Sequence, residues 1–223
     1  MSALAATGKK GLLPYVTAGF PDLATTKRIL QAIAASVAFN HPDVAIYALL
    51  VDERPEEVTD FKRNTPANVI AASSDMTIQE HVDTAEYAME VVAQQVVAGK
   101  DVLLLLDSIT RLARAYNNNA EGSGRTMSGG LDTNAMQAPR QIFGAARKIE
   151  GGGSLTILGT ALIDTGSRMD QVIFEEFKGT GNSEIYLSRE LAERRIYPAI
   201  DVAKSGTRKE EKLYPPEIVP RLH

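Results

Sequence analysis

Continuous apolar segments alternate with segments of helical periodicity along most of this chain. Four apolar runs predict strands: GLLPYV (11–16), VAIYALLV (44–51), VLLLL (102–106) and LTILGTALI (155–163). Because the runs are continuous and contain β-branched residues, they indicate strands buried on both faces, as in a parallel sheet covered by helices. Pro14 conflicts with a central position for the first strand, since proline cannot donate a hydrogen bond to the sheet.

Two helices are predicted from the spacing of apolar residues between these strands. In the longer one, steps of three and four residues mark one helical face: Ile78, Val82, Ala85, Met89, Val92 and Val96. The other follows the first strand, has start signals at Pro21 and Asp22, and carries its apolar face on Leu23, Leu30, Ile33, Ala34 and Val37. Strands that alternate with helices predict βαβ units in an open, mainly parallel sheet.

Composition restricts the class of protein. The chain has 223 residues, enough for one domain with a sizeable core, and its formal net charge of −4 provides no overall attraction for nucleic acid. The absence of cysteine excludes disulfides, thiolate metal sites and a cysteine nucleophile. No apolar run approaches the roughly 20 residues that span a bilayer, and the first residues do not form a signal peptide, so we expect a cytoplasmic protein.

Two glycine-rich segments interrupt the alternation of strands and helices. AEGSGRTMSGG (120–130) follows the helix after the VLLLL strand, and EGGGS (150–154) precedes the next strand. We interpret the second segment as a tight connection.

Acidic residues follow two of the predicted strands. Asp52 and Glu53 end one strand and Asp107 ends another, at the edge where parallel sheets bind ligands. Asp107 suits a residue that orients magnesium, and Glu53 could polarise an attacking water as a general base. The alternatives are that Asp107 caps the next helix and that Glu53 is a surface acid.

Three arginines and a tyrosine are further candidates. Arg168, Arg195 and Arg208 lie in or beside predicted loops, where arginine can stabilise phosphoryl charge across a subunit boundary, although each could also be a solvated surface residue. Tyr197 could stack on a base or lie in the core.

Four long segments resemble the ATPase core of the transcription termination factor Rho family, and the resemblance covers about residues 29–223. They are NHPDVAIYALLVDERPEEVTDFKR, GKDVLLLLDSITRLARAYN, FGAARKIEGGGSLTILGTALIDTGSRMDQVIFEEFKGTGN and RRIYPAIDVAKSGTRKEEKL. The family implies a three-layer α/β domain of the RecA-like, P-loop NTPase type, binding ATP and magnesium. It also implies an RNA-dependent ATPase and helicase that forms hexamers and moves along RNA.

The resemblance implies a role for each matching residue. Glu53 would be the general base with Arg54 beside it, Asp107 would bind magnesium as the Walker B acid, and Arg111 would contact phosphate. Arg195 and Arg208 would act on the ATP of a neighbouring subunit, with Arg208 as an arginine finger. Tyr197 would stack on adenine, and the RNA-contacting residues would be Arg125 and Thr126 in the 120–130 loop and Arg168 in the 164–170 loop.

The sequence departs from the Rho pattern in two places. The family's N-terminal RNA-binding domain is not part of this sequence, so we expect poor loading onto RNA. The family's Gly-Lys-Thr falls on Thr25, Thr26 and Lys27, which leave Thr26 and Lys27 as the nucleotide-binding candidates. Without glycine the backbone cannot curl around a phosphate, and a one-residue displacement turns Lys27 by about 100° on a helix, away from the phosphates.

The opening segment has a different resemblance. KKGLLPYVTAGFPDLATTKRIL, about residues 9–32, is similar to the first strand and helix of the tryptophan synthase alpha family, whose later active-site acids have no counterpart here. We therefore predict a single-domain chimera: residues 1–10 disordered, 11–32 a foreign βα unit whose strand lies centrally in the sheet, and 33–223 a Rho-like core.

Three functions remain open at this stage. The chain could be a working Rho-type motor core, a folded scaffold that hydrolyses ATP poorly or not at all, or a passive RNA-binding module that uses the 120–130 and 164–170 loops. Loss of the glycine loop favours the second. Hexamer formation is doubtful, because ATP at the subunit boundary normally bridges neighbours.

Overall fold

The computed structural model describes residues 14–18, 23–120, 129–209, 211 and 216–217, with side chains from Thr26 onward. Within these ranges seven strands form one sheet in the order β3-β2-β4-β5-β1-β6-β7. The strands are β1 (Pro14–Ala18), β2 (Ala45–Glu53), β3 (Asn68–Ser73), β4 (Asp101–Asp107), β5 (Ser154–Leu162), β6 (Ser183–Ile185) and β7 (Gly206–Thr207). All neighbouring strands are parallel except β6 and β7.

The described helices cover the two faces of this sheet. They are α1 (Leu23–Asn40), α2 (Pro55–Asn64), α3 (Ile78–Val97), α4 (Ile109–Asn119), α5 (Gln137–Phe143), α6 (Arg168–Lys178) and α7 (Arg189–Glu193). None of these helices is both long and apolar enough to cross a membrane.

Alternate residues of β4 contribute to two separate cores. Leu103 and Leu105 pack with residues of α1 and α2, whereas Leu104 and Leu106 pack with residues of α3, α4 and α6. A strand whose side chains are buried on both sides must read as a continuous apolar run, which is the pattern seen in the sequence. The predicted three-layer α/β fold with a mainly parallel sheet is therefore confirmed.

The first strand lies inside the sheet, as the sequence predicted. β1 pairs with β5 on one side and with β6 on the other. Pro14 is its first residue, a position where proline is tolerated because only the strand end loses a donor. The structure does not describe residues 1–10, which were predicted to be disordered, nor residues 11–13 and 19–22 of the predicted foreign βα unit, which include the start signals Pro21 and Asp22.

The longer predicted helix is confirmed as α3. Thr77 begins it with a capping box: its hydroxyl accepts from the Glu80 backbone N–H, and the Glu80 carboxylate accepts from the Thr77 backbone N–H. Most of the predicted apolar face is buried, but Ile78 is 43% exposed because it lies in the first turn.

The glycine-rich segment before β5 is the tight connection that was predicted. The Ile149 N–H donates to the Gly153 carbonyl, and the Gly153 N–H donates to the carbonyl of Val96. A Cβ atom on Gly153 would lie 1.9 Å from the backbone oxygen of Lys100. Only glycine therefore allows the two segments to approach this closely.

Gly153→Ala is expected to lower the free energy of unfolding by about 1–3 kcal/mol, because the backbone of Lys100 must move away. Urea denaturation followed by circular dichroism measures the change. Gly206→Ala is the matched control, since a Cβ atom there meets nothing within 4 Å, and its effect should stay within about 0.5 kcal/mol. Equal effects of the two substitutions would contradict the steric argument.

Candidate functional site

A narrow cleft opens where β2 and β4 end, beside the N-terminal part of α1. Its described lining consists of Thr26, Lys27, Leu50, Glu53, Glu57, Phe61 and Asp107. Four of the residues that the sequence singled out, Thr26, Lys27, Glu53 and Asp107, thus meet at one place. This is the edge at which parallel α/β sheets bind ligands.

Asp107 ends β4 as a buried carboxylate, with 8% of the residue exposed. Its Oδ1 accepts a hydrogen bond of 2.6 Å from the Thr160 hydroxyl on the neighbouring strand β5. Burial raises the pKa of Asp107, and the Thr160 hydrogen bond opposes that rise by favouring the charged form. The cap of α4 is Ser108, whose hydroxyl accepts from the Arg111 N–H, so the alternative that Asp107 is the helix cap is wrong.

Glu53 ends β2 and is also buried, with 7% of the residue exposed, so the alternative of a surface acid is wrong. Its carboxylate forms an ion pair with the guanidinium of Arg111, which extends from the first turn of α4. Burial lowers the pKa of Arg111, and nearby Asp52 opposes that shift. Arg54 is exposed at the start of α2 and its side chain makes no cap.

Lys27 lines the cleft, but its ammonium is bound to a carboxylate of the same chain. The Lys27 Nζ lies 3.0 Å from Asp60 Oδ2 on α2. The pKa of Asp60 is lowered, mainly by the hydrogen bond from Lys27. Thr26, beside it, is 2% exposed.

Tyr197, Arg195 and Arg208 are not part of the described cleft lining. Tyr197 is 63% exposed, so the alternative that it is a core residue is wrong. Arg195 is exposed, with a backbone φ of 59°. The guanidinium of Arg208 donates to the carbonyls of Lys178 (2.9 Å) and Gly179 (3.3 Å), where arginine stabilises the C-terminal end of α6.

The segment predicted as a second RNA loop is held against α4 by one carboxylate. Asp170, 1% exposed, accepts two hydrogen bonds from Arg114, of 2.8 and 2.6 Å, and one of 2.7 Å from the Thr165 hydroxyl. Arg168 is the first residue of α6 and is exposed. Arg125 and Thr126, of the first predicted RNA loop, lie outside the described residues.

Magnesium fits the oxygen donors of the cleft only together with a ligand that brings its own oxygens. No group of three or more His, Cys, Asp or Glu side chains within the described ranges could hold a metal ion. Magnesium commonly takes one or two protein carboxylates and completes its shell with water and phosphate oxygens. The Asp107 carboxylate provides such a ligand, so the cleft suits magnesium that arrives with a phosphorylated molecule.

Sequence reasoning missed two residues that shape the cleft. Thr160 is fully buried and its hydroxyl donates to Asp107, and the only signal for it in the sequence was a threonine within a mainly apolar strand that also contains Thr156. Asp60 neutralises Lys27, and no sequence pattern marked that contact, because the two residues lie on different helices.

Asp107→Asn is expected to make the folded chain more stable at neutral pH when no magnesium is present. The unfolded carboxyl titrates near 3.8 and the folded one higher, so the wild-type chain loses stability as the pH rises through this interval. Asparagine carries no charge and still accepts the Thr160 hydrogen bond. Urea denaturation as a function of pH tests this: the two proteins should converge below about pH 3.8, and a constant difference at all pH values would contradict it.

The sequence matches the family model described as the ATP synthase alpha/beta family, nucleotide-binding domain, over residues 18–207. It is 56% identical over 206 residues to transcription termination factor Rho of Gemmatimonas aurantiaca, covering 91% of this chain and 28% of that protein. It is 52% identical over 215 residues to Rho of Escherichia coli K12, covering 96% of this chain and 50% of that protein. The chain thus spans half or less of the length of these curated relatives.

Solved structures agree with the fold. An ATPase from the type III secretion system of pathogenic bacteria superposes with a TM-score of 0.78 and 26% identity, covering 93% of this chain and 59% of that one. The ATPase EscN from enteropathogenic E. coli superposes with a TM-score of 0.79 and 25% identity, covering 94% of this chain and 51% of that one. The chain therefore belongs to the ATP synthase alpha/beta family, of which it carries the nucleotide-binding domain, and it is a homologue of the Rho ATPase core.

Proposed function

We propose that this chain is a Rho-type, RNA-dependent ATPase and helicase core of transcription termination in which nucleotide binding is weakened. The observation that carries the proposal is the meeting of Glu53, Asp107, Thr26 and Lys27 in one cleft at the carboxyl ends of β2 and β4. Two carboxylates on neighbouring parallel strands, next to a helix N-terminus, suit the binding and hydrolysis of a nucleoside triphosphate.

Each acid has a separate role in the proposed reaction. Asp107 holds magnesium, which when bound neutralises charge on the phosphate oxygens. Glu53 orients the attacking water and accepts its proton, and Arg111 fixes the position of the Glu53 carboxylate through their ion pair. Arg54 and the exposed ring of Tyr197 contribute further contacts to the nucleotide.

Nucleotide binding is weak because the cleft lacks the usual means of holding phosphates. Thr25, Thr26 and Lys27 stand where the Rho family has Gly-Lys-Thr, and residues 20–27 contain no glycine, the residue that lets consecutive backbone N–H groups curl around a phosphate. Lys27, the cation among the described lining residues, is paired with Asp60.

The replaced segment is foreign to the Rho core in our proposal. Residues 11–32 derive from a strand and helix of the tryptophan synthase alpha type, and residues 33–223 form the Rho-like part of a single domain. What supports this is the sequence likeness of residues 9–32 and the fact that β1 followed by α1 is a βα unit in either parent. Against it stands the match to the Rho relatives, which covers 91% and 96% of this chain and therefore extends into residues 11–32.

The remaining candidate residues outside the cleft are assigned to contacts with RNA and with neighbouring copies of the chain. We assign Arg125, Thr126 and Arg168 to contacts with RNA, and Arg195 and Arg208 to the nucleotide of a neighbouring copy in a cytoplasmic ring of the Rho family's kind, which weak nucleotide binding disfavours in this chain. For that role Arg208 must leave the carbonyls at the end of α6. A catalytically inert scaffold and a passive RNA-binding module are the alternatives that the first experiment separates.

The chain is expected to bind Mg-ATP only in the millimolar range, and RNA should stimulate slow hydrolysis that Glu53→Gln abolishes. Calorimetry measures binding, and phosphate release with and without RNA measures hydrolysis. Glu56→Gln, at an exposed residue in the first turn of α2, three residues after Glu53, is the matched control and should retain the activity.

Each departure from this result has a defined meaning. Micromolar binding would contradict the weakened site. Binding without hydrolysis would contradict the ATPase role and support a scaffold. RNA binding that falls with salt, without any nucleotide effect, would support the passive RNA-binding module.

Restoring a glycine loop should tighten Mg-ATP binding by about tenfold or more, equivalent to at least about 1.4 kcal/mol. The variant combines Phe20→Gly, Thr25→Gly, Thr26→Lys and Lys27→Thr, which recreates the spacing of a phosphate-binding loop. A control with the two glycines alone separates backbone freedom from the returned lysine. If the full variant binds no better than the wild-type chain, the replaced segment is not what limits binding.

A further inference from the structure

Asp60 forms an ion pair with Lys27, the lysine that lines the cleft. Its Oδ2 lies 3.0 Å from the Lys27 Nζ, and 19% of the Lys27 side chain and 47% of the Asp60 side chain are exposed. Two neighbours fix the carboxylate: Asn64 donates to Oδ1 at 2.8 Å, and Gln31 approaches Oδ2 at 3.4 Å. The carboxylate is therefore positioned before any ligand arrives.

The charges around the cleft determine how much the ion pair between Lys27 and Asp60 affects the binding of an anion. The described lining contains three carboxylates, those of Glu53, Glu57 and Asp107, and a single cation, Lys27. Glu53 is offset by Arg111, which leaves Glu57 and Asp107 facing Lys27. These lining charges already sum to −1, and the Asp60 carboxylate offsets the one remaining positive charge, so an anionic ligand meets stronger repulsion than it would without Asp60.

We propose that Asp60 is a positioning residue that competes with the phosphates of a nucleoside di- or triphosphate for the Lys27 ammonium. The proposal rests on the proposed function, because it concerns the same cleft and deepens its regulation. Lys27 is half-buried and lines the cleft already, so its ammonium needs only to change partner in order to contact a phosphate. The Asp60 carboxylate and a phosphate of the ligand then compete for the same atom, the Lys27 Nζ.

The position of Lys27 also differs from what the sequence suggested. A one-residue displacement on an ideal helix was expected to turn the side chain away from the phosphates. In the structure Lys27 is a lining residue beside Asp107, whose pKa it acts to lower. Because Lys27 already lines the cleft, its pairing with Asp60 is one of the contacts that an anion must displace in order to bind.

The test is calorimetric titration of the full chain with Mg-ADP, and with inorganic pyrophosphate as a probe without a base. Asp60→Asn should bind both ligands about two- to fivefold more tightly than the wild-type chain, the range that one partly exposed ion pair supplies. Asp60→Glu, which restores a carboxylate, should return binding to the wild-type level. Asp60→Ser provides a second uncharged variant, and circular dichroism confirms that each variant is folded.

Two controls separate competition from a general change of charge. Asp43→Asn removes one negative charge from the exposed segment before β2, at the opposite edge of the sheet, and should leave binding unchanged. Lys27→Met combined with Asp60→Asn should lose the gain entirely, because the gain depends on the released ammonium.

The inference is overturned if both uncharged variants bind no more tightly than the wild-type chain, including the case in which none of them binds. It is also overturned if Asp43→Asn gives the same gain, or if the gain persists without Lys27. Tighter binding without RNA-stimulated hydrolysis would support the inference and contradict the proposed function. RNA-stimulated hydrolysis by the wild-type chain, with no effect of Asp60→Asn on binding, would support the proposed function and contradict the inference.

Discussion

The register between β2 and β4 is the constraint on which the candidate site depends. Leu50 pairs with Asp107 at the end of β4, and β2 continues beyond that pair to Glu53. Because successive side chains of a strand point to opposite faces, a shift of one residue would exchange the two apolar cores that β4 serves. The burial of Leu103 and Leu105 on one face, and of Leu104 and Leu106 on the other, therefore fixes the register. The same burial places both acids at one edge, so the chemistry is a consequence of core packing.

Two cations at the cleft are engaged by groups of the same chain: Lys27 pairs with Asp60, and Arg111 pairs with Glu53. A phosphate that binds here must replace at least one of these partners, and the free energy of the broken contact is subtracted from its affinity. Partly exposed pairs such as Lys27 with Asp60 are weak and can be exchanged. The buried pair of Arg111 with Glu53 is costlier to separate, since either charge alone would remain in a region of little water.

Apolar runs in the sequence predicted the strands that are buried on both faces. No sequence pattern predicted the side-chain contacts between distant elements. β2, β4 and β5 were predicted within one or two residues, because strands covered on both faces leave an unbroken apolar run. β3 was not predicted from the sequence, because it is an edge strand in which only Ala72 is buried. β6 was not predicted either, because it has only three residues. The acids at the ends of β2 and β4 could be predicted to lie close together, because parallel strands place their carboxyl ends at the same edge of the sheet. The partners of Asp107 and Lys27 were not predicted, since a contact between Thr160 and Asp107, or between Asp60 and Lys27, depends on the spacing and tilt of whole elements.

Helix α4 is the element that joins the acidic cleft to the segments on the other side of the domain. Arg111 in its first turn reaches Glu53, and Arg114 one turn later binds Asp170 beside Arg168. Asn117 then accepts from the Asp132 N–H at 2.7 Å and donates to the Gly130 carbonyl, which fixes the chain where it leaves the 120–130 loop. Arg111, Arg114 and Asn117 extend from the same helix. That helix therefore determines where the cleft lies relative to Asp170 and to the segment 130–132. All of these residues lie within residues 18–207, the part of the chain that matches the ATP synthase alpha/beta family model.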